Sequence, residues 1–342
     1  VTIDLAISQN DPVVPKTDKE YLNYMETRTV EAACEAIDNA VPAEIAFVMA
    51  DATGVGTNRH DPAGPKDMEL PVLIARDKKH EYIGVILVCT MHPTILHEDS
   101  TLFSGDFPFY IRRGLQGFLG ESCTVVYFTG AAGNQSPRHV TKNNTFEEAE
   151  RIGGIVADSI KLTFEKEASF CPNCSVEVSR TFTDLPRREF PSVEVAEVNR
   201  NRIKKRFENL KKEQPTFKET RTAEVNWFGA EELLFLAKQA HENTLQDAYG
   251  SSLPAEIQAF KIGEQLFVAW PGEVFVEYGL ELKKKFNNMS LITYANGELE
   301  GYVVTKEAVE KGFYEAGNSL FHYSSGEVLV NKTTELLKEL GQ

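Results

Sequence analysis

The sequence predicts an α/β fold, with a mixed β-sheet core and flanking helices. Two apolar runs rich in β-branched residues, Ile83–Thr90 and Thr124–Thr129, have the length and composition of buried strands. Between them, Phe107–Leu119 has the apolar spacing of an amphipathic helix. Strand, helix and strand in this order form a βαβ unit, whose two strands run parallel. The loops after both strands then lie at one edge of the sheet, where α/β proteins bind ligands.

Before this unit, the chain predicts a helix and three strands. Val1–Ile7, Ile45–Ala50 and Leu70–Ala75 are short apolar runs, whereas Asp18–Asn39 repeats apolar residues at helical spacing. Thr53–Pro65 is rich in glycine and proline, which indicates a loop between strands.

After the unit, the apolar spacing predicts six helices and four strands. Glu148, three residues after Thr145, predicts a capping box at the first helix, and the turn Gly263-Glu264 indicates a hairpin. The charged region at about 190–222 is predicted to be a helical surface region. The predicted helices are Thr145–Glu165, Ser192–Lys212, Ala230–Thr244, a helix from Glu273 to about Lys285, and short helices near Lys306–Gly312 and Glu327–Leu340. The predicted strands are Val176–Thr183, Glu256–Ile262, Gln265–Trp270 and Leu291–Ala295, followed by a loop at Asn296–Tyr302.

The composition supports a large core and argues against several classes of protein. With 342 residues, 42% of them hydrophobic, the chain is predicted to form one domain, 1–342. The net charge of −15 argues against nucleic-acid binding, because no basic stripe is available to contact phosphates. No apolar run approaches the roughly 18 residues of a membrane helix. The expected partner is a small-molecule or lipid substrate, and the oligomeric state stays open.

The five cysteines cannot all form intrachain disulfides, because their number is odd. Cys34, Cys89 and Cys123 are predicted to be small core residues. Cys171 and Cys174 form a lone CxxC pair, which we interpret as structural, with a redox or metal role as the alternative. The odd cysteine count and the absence of a visible signal peptide favour the cytoplasm, whereas the start at Val1 without a methionine leaves secretion open.

Four residues have the chemistry of a functional site, but each also has an ordinary structural explanation. His92 follows the first strand of the βαβ unit, and Ser136 lies in the glycine-rich loop after the second; they are a candidate metal ligand or base and a candidate nucleophile. Glu273 ends an apolar strand and is either a ligand or an acid in a first helical turn. Arg59 is either an anion clamp or a surface arginine.

Taken together, short motifs in the same chain order resemble the neutral/alkaline ceramidase family, the zinc-dependent amidases that cleave the N-acyl bond of ceramide. The resemblance covers most of the chain and is that of a shorter bacterial-type member. The motifs are Asn58-Arg59, Thr90–Thr94 with Ser104-Gly105-Asp106, Gly133–Pro137, Pro271-Gly272-Glu273, and Gly301-Tyr302 with Thr305 and Tyr314-Glu315-Ala316.

The resemblance implies a role for each matching residue. His92, Glu273 and Tyr302 would be zinc ligands, and the metal would activate water and polarise the amide carbonyl. Ser136 would attack the carbonyl or position water for the attack. The remaining residues of the implied site are Arg59 and Tyr314 at the substrate, and Asp106, which either orients the His92 ring through a hydrogen bond without binding the metal or caps the following helix.

The implied function is a zinc-dependent amidohydrolase acting on a ceramide-like lipid or another acylated small molecule. The alternative is a non-catalytic ligand-binding homologue with an incomplete metal site. A metal-free serine hydrolase is disfavoured, because the sequence has no convincing Ser-His-Asp spacing.

Three departures from the family pattern bear on this function. The family has a further zinc histidine in a His-Thr-His-Ser-Gly motif before its first long helix, where this chain has Ser8–Pro12 without a histidine. We therefore expect the N-terminal part to be missing, with a histidine-bearing segment lost near Gln9–Asp11. Asn134 replaces the usual Asp, and the chain ends without the immunoglobulin-like C-terminal domain of the longer ceramidases.

Overall fold

Two mixed β-sheets pack face to face and carry helices on their outer sides. The structure, a computed structural model, describes residues 18–97, 100–213 and 216–341. The predicted strand Val1–Ile7 and the expected histidine-bearing segment near Gln9–Asp11 lie outside these residues.

The described residues contain ten α-helices. They are α1 (Lys19–Asp38), α2 (Asp106–Leu119), α3 (Phe146–Glu167), α4 (Val193–Leu210), α5 (Phe217–Glu242), α6 (Gln246–Ser252), α7 (Val276–Lys285), α8 (Lys306–Lys311), α9 (Tyr314–Gly317) and α10 (Ser325–Glu339).

The strands form two large sheets and two short strand pairs. They are β1 (Ala43–Asp51), β2 (Thr57–Asn58), β3 (Glu69–Asp77), β4 (Tyr82–Cys89), β5 (Thr124–Thr129), β6 (Gln135–Ser136), β7 (Phe170–Cys171), β8 (Val176–Thr183), β9 (Ala255–Ile262), β10 (Gln265–Ala269), β11 (Glu273–Val274), β12 (Met289–Ile292) and β13 (Tyr302–Val303).

The first sheet has the strand order β5-β4-β3-β1-β7 and contains the predicted βαβ unit. Strands β4 and β5 are parallel, in register from Gly84 opposite Thr124 to Cys89 opposite Thr129. The connection between them includes α2, as the amphipathic pattern predicts. Consequently the loops after β4 and β5 leave the sheet at the same edge.

The second sheet, in the order β12-β10-β9-β8, repeats this arrangement. The predicted hairpin joins β9 and β10 through Gly263, whose φ of +60° suits glycine. Strand β12 is parallel to β10, and α7 connects the two. A second βαβ unit therefore brings the ends of β10 and β12 to one edge as well.

Three apolar clusters join the layers. Leu73 and Val88 of the first sheet meet Phe267 and Ile292 of the second. Helices α2 and α3 cover the outer face of the first sheet, and α7 and α10 cover that of the second. In the cluster between the second sheet and its helices, Trp270 is fully buried, and its indole N–H donates to Thr333 Oγ1 at 2.9 Å. The mixed α/β class is confirmed, with two facing sheets instead of one.

Two sequence expectations on helices are wrong. Helix α1 begins after its Asp18 N-cap as predicted, but none of its residues is buried, so Cys34 is exposed and is not a core residue. An amphipathic pattern predicts a helix, but it does not provide a packing partner. At α3, Thr145 does cap the helix, whereas the Glu148 carboxylate accepts from the Lys142 backbone N–H and from Arg151. No capping box closes there.

Three element boundaries also differ from the sequence pattern. Helix α5 begins at Phe217 instead of Ala230, because Thr216 and Glu219 form a capping box there. Strand β12 ends at Ile292, and Tyr302 lies in a short strand instead of a loop. Cys89 and Cys123 are buried as predicted. Among the described residues, no helix is both long and apolar enough to cross a membrane.

The contact between α2 and α3 allows a direct test of the packing. A Cβ on Gly153 would lie 2.6 Å from Tyr110 Cβ and 2.7 Å from the Phe107 carbonyl oxygen, whereas Gly154 has nothing within 4 Å. We predict that Gly153→Ala lowers the free energy of unfolding by about 1–3 kcal/mol through overpacking. Gly154→Ala is the matched control and should raise it by up to about 1 kcal/mol, because alanine favours a helix.

Urea denaturation followed by circular dichroism measures both values. Equal effects of the two substitutions would contradict the close helix contact.

Candidate active site

The predicted site residues converge on one cavity of about 400 Å³ at the edge where the two βαβ units meet. Six of the residues that the sequence singled out line it: Arg59, His92, Ser136, Glu273, Tyr302 and Tyr314. Their assigned roles stay predictions, but their placement together is observed.

His92 follows β4, and two backbone carbonyls hold its ring. Nδ1 lies 2.6 Å from the Ala132 oxygen and 3.1 Å from the Gln135 oxygen, while Nε2 lies 3.0 Å from Glu273 Oε2. Carbonyl oxygens only accept hydrogen bonds, so Nδ1 carries the proton. In the neutral ring, Nε2 therefore directs a lone pair at a carboxylate oxygen. This contact is favourable only with a second proton on His92 or with a cation between the two groups.

Glu273 begins β11 directly after Gly272, whose φ is +79°. Strand β11 runs parallel to β13, and this pairing sets Glu273 opposite Tyr302. Partial burial raises the pKa of Glu273, but hydrogen bonds from His92 and Tyr302 and the charges of His92 and Arg59 outweigh it and lower the pKa below its ordinary value. Glu273 is thus an anion at neutral pH.

Two tyrosines lie beside this pair. Burial keeps the pKa of Tyr302 well above its ordinary value, although the charge of Arg59 opposes the shift, so its phenol is neutral at pH 7. The hydroxyl of Tyr294 lies 3.3 Å from His92 Nε2. Sequence reasoning missed Tyr294, although it follows β12, a strand whose carboxyl end lies at the same edge.

Ser136 lies in β6, which pairs antiparallel with β2. Its side chain is almost fully buried, and Oγ accepts a hydrogen bond from the Arg138 backbone N–H at 3.2 Å. The glycine-rich loop before it docks on β11, because the Gly133 N–H donates to the Val274 carbonyl at 2.7 Å. A Cβ on Gly133 would lie 2.8 Å from that oxygen, so only glycine fits this approach.

A buried ion pair fixes a further part of the cavity wall. Arg59 Nε lies 2.5 Å from Oε1 of Glu315, which has no solvent exposure. His60 Nε2 contacts both oxygens of the same carboxylate, at 3.0 and 2.8 Å, and its ring stacks on Phe313. Arg59 also donates to the Gly133 carbonyl at 2.5 Å. His60 and Glu315 were not predicted as site residues, although both adjoin residues that were.

These contacts shift the pKa of Glu315. Burial raises it, but the charges of Arg59 and His60 and the hydrogen bond from His60 outweigh burial and lower the pKa to about 2. The guanidinium of Arg59 also lies 5.6 Å from the centre of the Tyr302 ring and 5.9 Å from that of Tyr314. Arg59 is therefore held by several protein groups and is fixed at the cavity wall.

Asp106 does not contact His92. Its Oδ2 accepts from the backbone N–H groups of Ile95 and Leu96, both at 2.9 Å, so it fixes the loop that follows β4. The proposed orientation of His92 by Asp106 is wrong, because the carbonyls of the glycine-rich loop hold that ring. Asn134 stands where the resembled family usually has Asp, and both ends of its amide are bonded: Oδ1 accepts from the Val276 N–H and Nδ2 donates to Glu277.

Comparison with solved structures identifies the fold. Neutral ceramidase from Pseudomonas aeruginosa matches with a TM-score of 0.65 and 16% identity, over 92% of this chain and 55% of that one. A ceramidase complexed with C2 matches with a TM-score of 0.58 and 14% identity, over 85% and 52% of the two chains. This chain has the ceramidase fold. It spans about half the length of those proteins. No family model matches the sequence, and no curated protein matches it.

On this ceramidase fold, the donor atoms fit part of a zinc site. No group of three or more His, Cys, Asp or Glu residues able to hold a metal occurs within the described ranges. The pair that does converge, His92 Nε2 and the Glu273 carboxylate, has donor types that bind zinc, an imidazole nitrogen and a carboxylate oxygen. The phenol oxygen of Tyr302, next to Glu273, is the third donor. Its raised pKa makes it a weak ligand until a bound cation lowers that pKa.

Removing the Glu315 carboxylate tests the buried ion pair. We predict that Glu315→Gln lowers the free energy of unfolding at pH 7 by about 3–5 kcal/mol, because it leaves the Arg59 charge buried without a partner. The folded pKa of about 2 lies below the ordinary value of 4.5, so this stability is present above pH 4.5 and is lost as the pH falls towards 2. The difference in the free energy of unfolding between the unchanged chain and Glu315→Gln should therefore shrink as the pH falls from 4.5 towards 2.

Urea titrations at pH 7, 4 and 3 measure the difference. Glu307→Gln is the matched control, since it breaks an exposed pair with Lys311 on α8 and should change nothing measurable. Two variants of equal stability at pH 7 would show that the Glu315 pair contributes no more than a surface pair.

Proposed function

We propose that this chain is a zinc-dependent amidohydrolase that cleaves the N-acyl bond of a ceramide-like lipid or another acylated small molecule. One observation carries the proposal: Nδ1 of His92 is committed to carbonyl oxygens while Nε2 faces the Glu273 carboxylate. Two electron-pair donors that point at each other repel, whereas a divalent cation between them would bind both, and this arrangement occurs here on a ceramidase fold.

His92, Glu273 and Tyr302 would hold the zinc ion. When bound, zinc polarises an amide carbonyl as a Lewis acid and lowers the pKa of a water ligand to about 7. The carbonyl oxygens of Ala132 and Gln135 fix the tautomer and the orientation of His92, the task of outer partners in metal sites.

Ser136 is proposed as the nucleophile or as the group that positions water. One oxygen lone pair accepts from the Arg138 backbone N–H, which leaves the hydroxyl proton and the second lone pair for the cavity. The fixed positive charge of Arg59 on the same cavity wall favours the negative charge that develops on the carbonyl oxygen. Leu96, Val225 and Phe228 give the cavity an apolar side for an acyl chain.

The second candidate function is a non-catalytic ligand-binding protein with the same cavity. It is favoured by the small number of metal donors, because no group of three or more His, Cys, Asp or Glu residues able to hold a metal occurs in the part of the chain that the structure describes. Zinc affinity and turnover distinguish the two candidates.

Zinc titration tests the metal site. We predict that the chain binds one zinc ion, and that His92→Ala and Glu273→Gln each weaken binding by at least about 100-fold, because each removes a direct ligand. Competition with a chromogenic chelator measures the affinity. His241→Ala, at an exposed position in the last turn of α5, is the control and should bind zinc like the unchanged chain.

Failure of the unchanged chain to bind zinc, or equal affinity of all four proteins, would exclude this site and favour the ligand-binding function.

Replacing Ser136 tests the nucleophile. We predict that Ser136→Ala lowers kcat on an N-acyl substrate by about 10³-fold or more, as the loss of a nucleophile does. Stability should fall by only about 1 kcal/mol, the usual cost of an N-cap. Release of fatty acid from a fluorescent N-acyl amide reports turnover, and the chelator titration confirms that zinc binding is retained. Thr94→Val, which removes another hydroxyl from the cavity wall, is the control, and wild-type turnover by Ser136→Ala would remove Ser136 from the mechanism.

A further inference from the structure

Positive charge in the cavity exceeds negative charge, although the chain has a net charge of −15. Each carboxylate in the wall already has a basic partner: Glu273 faces His92, and Glu315 faces Arg59 and His60. Two further arginines line the cavity, Arg138 and Arg221. Neither is needed to neutralise these acids.

Arg138 is the more informative of the two. Its side chain is partly buried, and its single side-chain hydrogen bond within the described residues is a long one, 3.5 Å from Nη1 to Thr222 Oγ1. No described carboxylate forms an ion pair with it. Burial and the nearby charges of Arg59 and Arg221 lower its pKa to about 10, against the attraction of Glu315, so it remains charged at pH 7. A partly buried guanidinium without an anion is costly unless a ligand supplies one.

Arg138 is also close to the proposed nucleophile. It lies in the 3-10 turn Pro137–His139, and its backbone N–H bonds to Ser136 Oγ. An anion bound by its side chain would therefore belong to the part of the substrate near the scissile bond.

Helix α5 provides the facing wall. Arg221, Val225 and Phe228 lie on this wall, and Arg221 pairs with Glu224 at 2.9 Å, which offsets part of its charge. The helix is tightly docked at this end of the site, because a Cβ on Gly229 would lie 2.9 Å from the Tyr314 carbonyl oxygen. The wall thus combines cationic and apolar groups in fixed positions.

We propose, on the basis of the amidohydrolase function above, that the substrates are N-acyl amino acids whose carboxylate binds Arg138. A guanidinium binds a carboxylate through two parallel hydrogen bonds. Arg138 has no carboxylate partner in the described part of the chain, whereas Glu224 offsets part of the charge of Arg221. Together they match a single negative charge, which favours a carboxylate over a phosphate dianion. In an acylated α-amino acid, one carbon separates the carboxylate from the scissile nitrogen, so the anion lies near Ser136. Leu96, Val225 and Phe228 face the acyl chain.

The reaction is a hydrolysis without further reactants. The bond between the acyl carbon and the nitrogen breaks, the oxygen of water bonds to the acyl carbon, and a proton passes to the nitrogen. The products are a fatty acid and the free amino acid.

Three dodecanoyl amides that differ in the amine half test the proposal: those of glycine, ethanolamine and phosphoethanolamine. We expect kcat/KM to be highest for the glycine conjugate. Arg138→Gln should lower that value by about 10- to 100-fold, the effect of losing a charge-assisted hydrogen bond. The same substitution should change kcat/KM for the neutral ethanolamide by no more than about twofold. Arg138→Lys should recover part of the loss, since it restores the charge without the fork. Arg202→Gln, an exposed position on α4, removes the same charge away from the cavity and should change none of the values.

Binding is measured in parallel, so that the site is tested even without turnover. Isothermal titration calorimetry of dodecanoyl-glycine against the full chain and Arg138→Gln should show the same 10- to 100-fold weakening. Thermal unfolding of each variant confirms that it is folded. If no amide is hydrolysed but binding falls in Arg138→Gln, the amidohydrolase function fails and the carboxylate site stands. Equal binding by both proteins, or a preference for the neutral ethanolamide, overturns the site, and a preference for the phosphate conjugate replaces carboxylate by phosphate.

Discussion

The ion pair between Arg59 and Glu315 is the constraint on which the site depends. It is buried, and Arg59 also bonds to the Gly133 carbonyl through its side chain and to the Asn134 carbonyl through its backbone N–H. One guanidinium therefore connects the loop after β1, the glycine-rich loop after β5 and helix α9. Because a buried charge without a partner costs several kcal/mol, these segments keep their relative positions only together. The position of Ser136 is in this way tied to a carboxylate far from it in the sequence.

The geometry of the site follows from two βαβ units that share an edge. His92 and Ser136 follow β4 and β5 of the first unit, while Glu273 and Tyr294 follow β10 and β12 of the second. Parallel strands bring their carboxyl ends to the same edge, and the face-to-face sheets bring the two edges together. The hydrogen bond from Gly133 to Val274 then connects the two units directly at the site.

Most of the fold could be predicted from the sequence, because its signals are local. Apolar β-branched runs at β4 and β5, helical spacing at α2 and a glycine turn at Gly263 each act within a few residues. The exposure of α1 and the presence of two sheets instead of one could not be predicted, since burial and sheet pairing depend on segments distant in the sequence. For the same reason Cys34 was wrongly assigned to the core.

The site shows the same division. His92, Ser136 and Glu273 stand at or after strand ends, where the sequence could select them as candidates, and motif order added Tyr302 and Tyr314 and gave each residue, Arg59 included, a role. Of the two alternatives for Asp106, the orientation of His92 was the wrong one, because backbone carbonyls of a loop hold that ring and leave no trace in the residue types. His60, Glu315 and Tyr294 gain their meaning only from contacts between distant segments, so local patterns gave no reason to select them.

The charge of the cavity is a different kind of constraint from the charge of the chain. A net charge of −15 repels an anionic substrate at long range, but ions at physiological strength screen this repulsion beyond about 8 Å. Within the cavity, an anion bound as proposed would meet Arg138 at hydrogen-bond distance and in partial burial, where screening is weak. Selection for an anion would therefore depend on how long the substrate stays bound, and little on how fast it arrives. An acidic surface and a cationic cavity are thus compatible, because the surface governs encounter whereas the cavity governs retention.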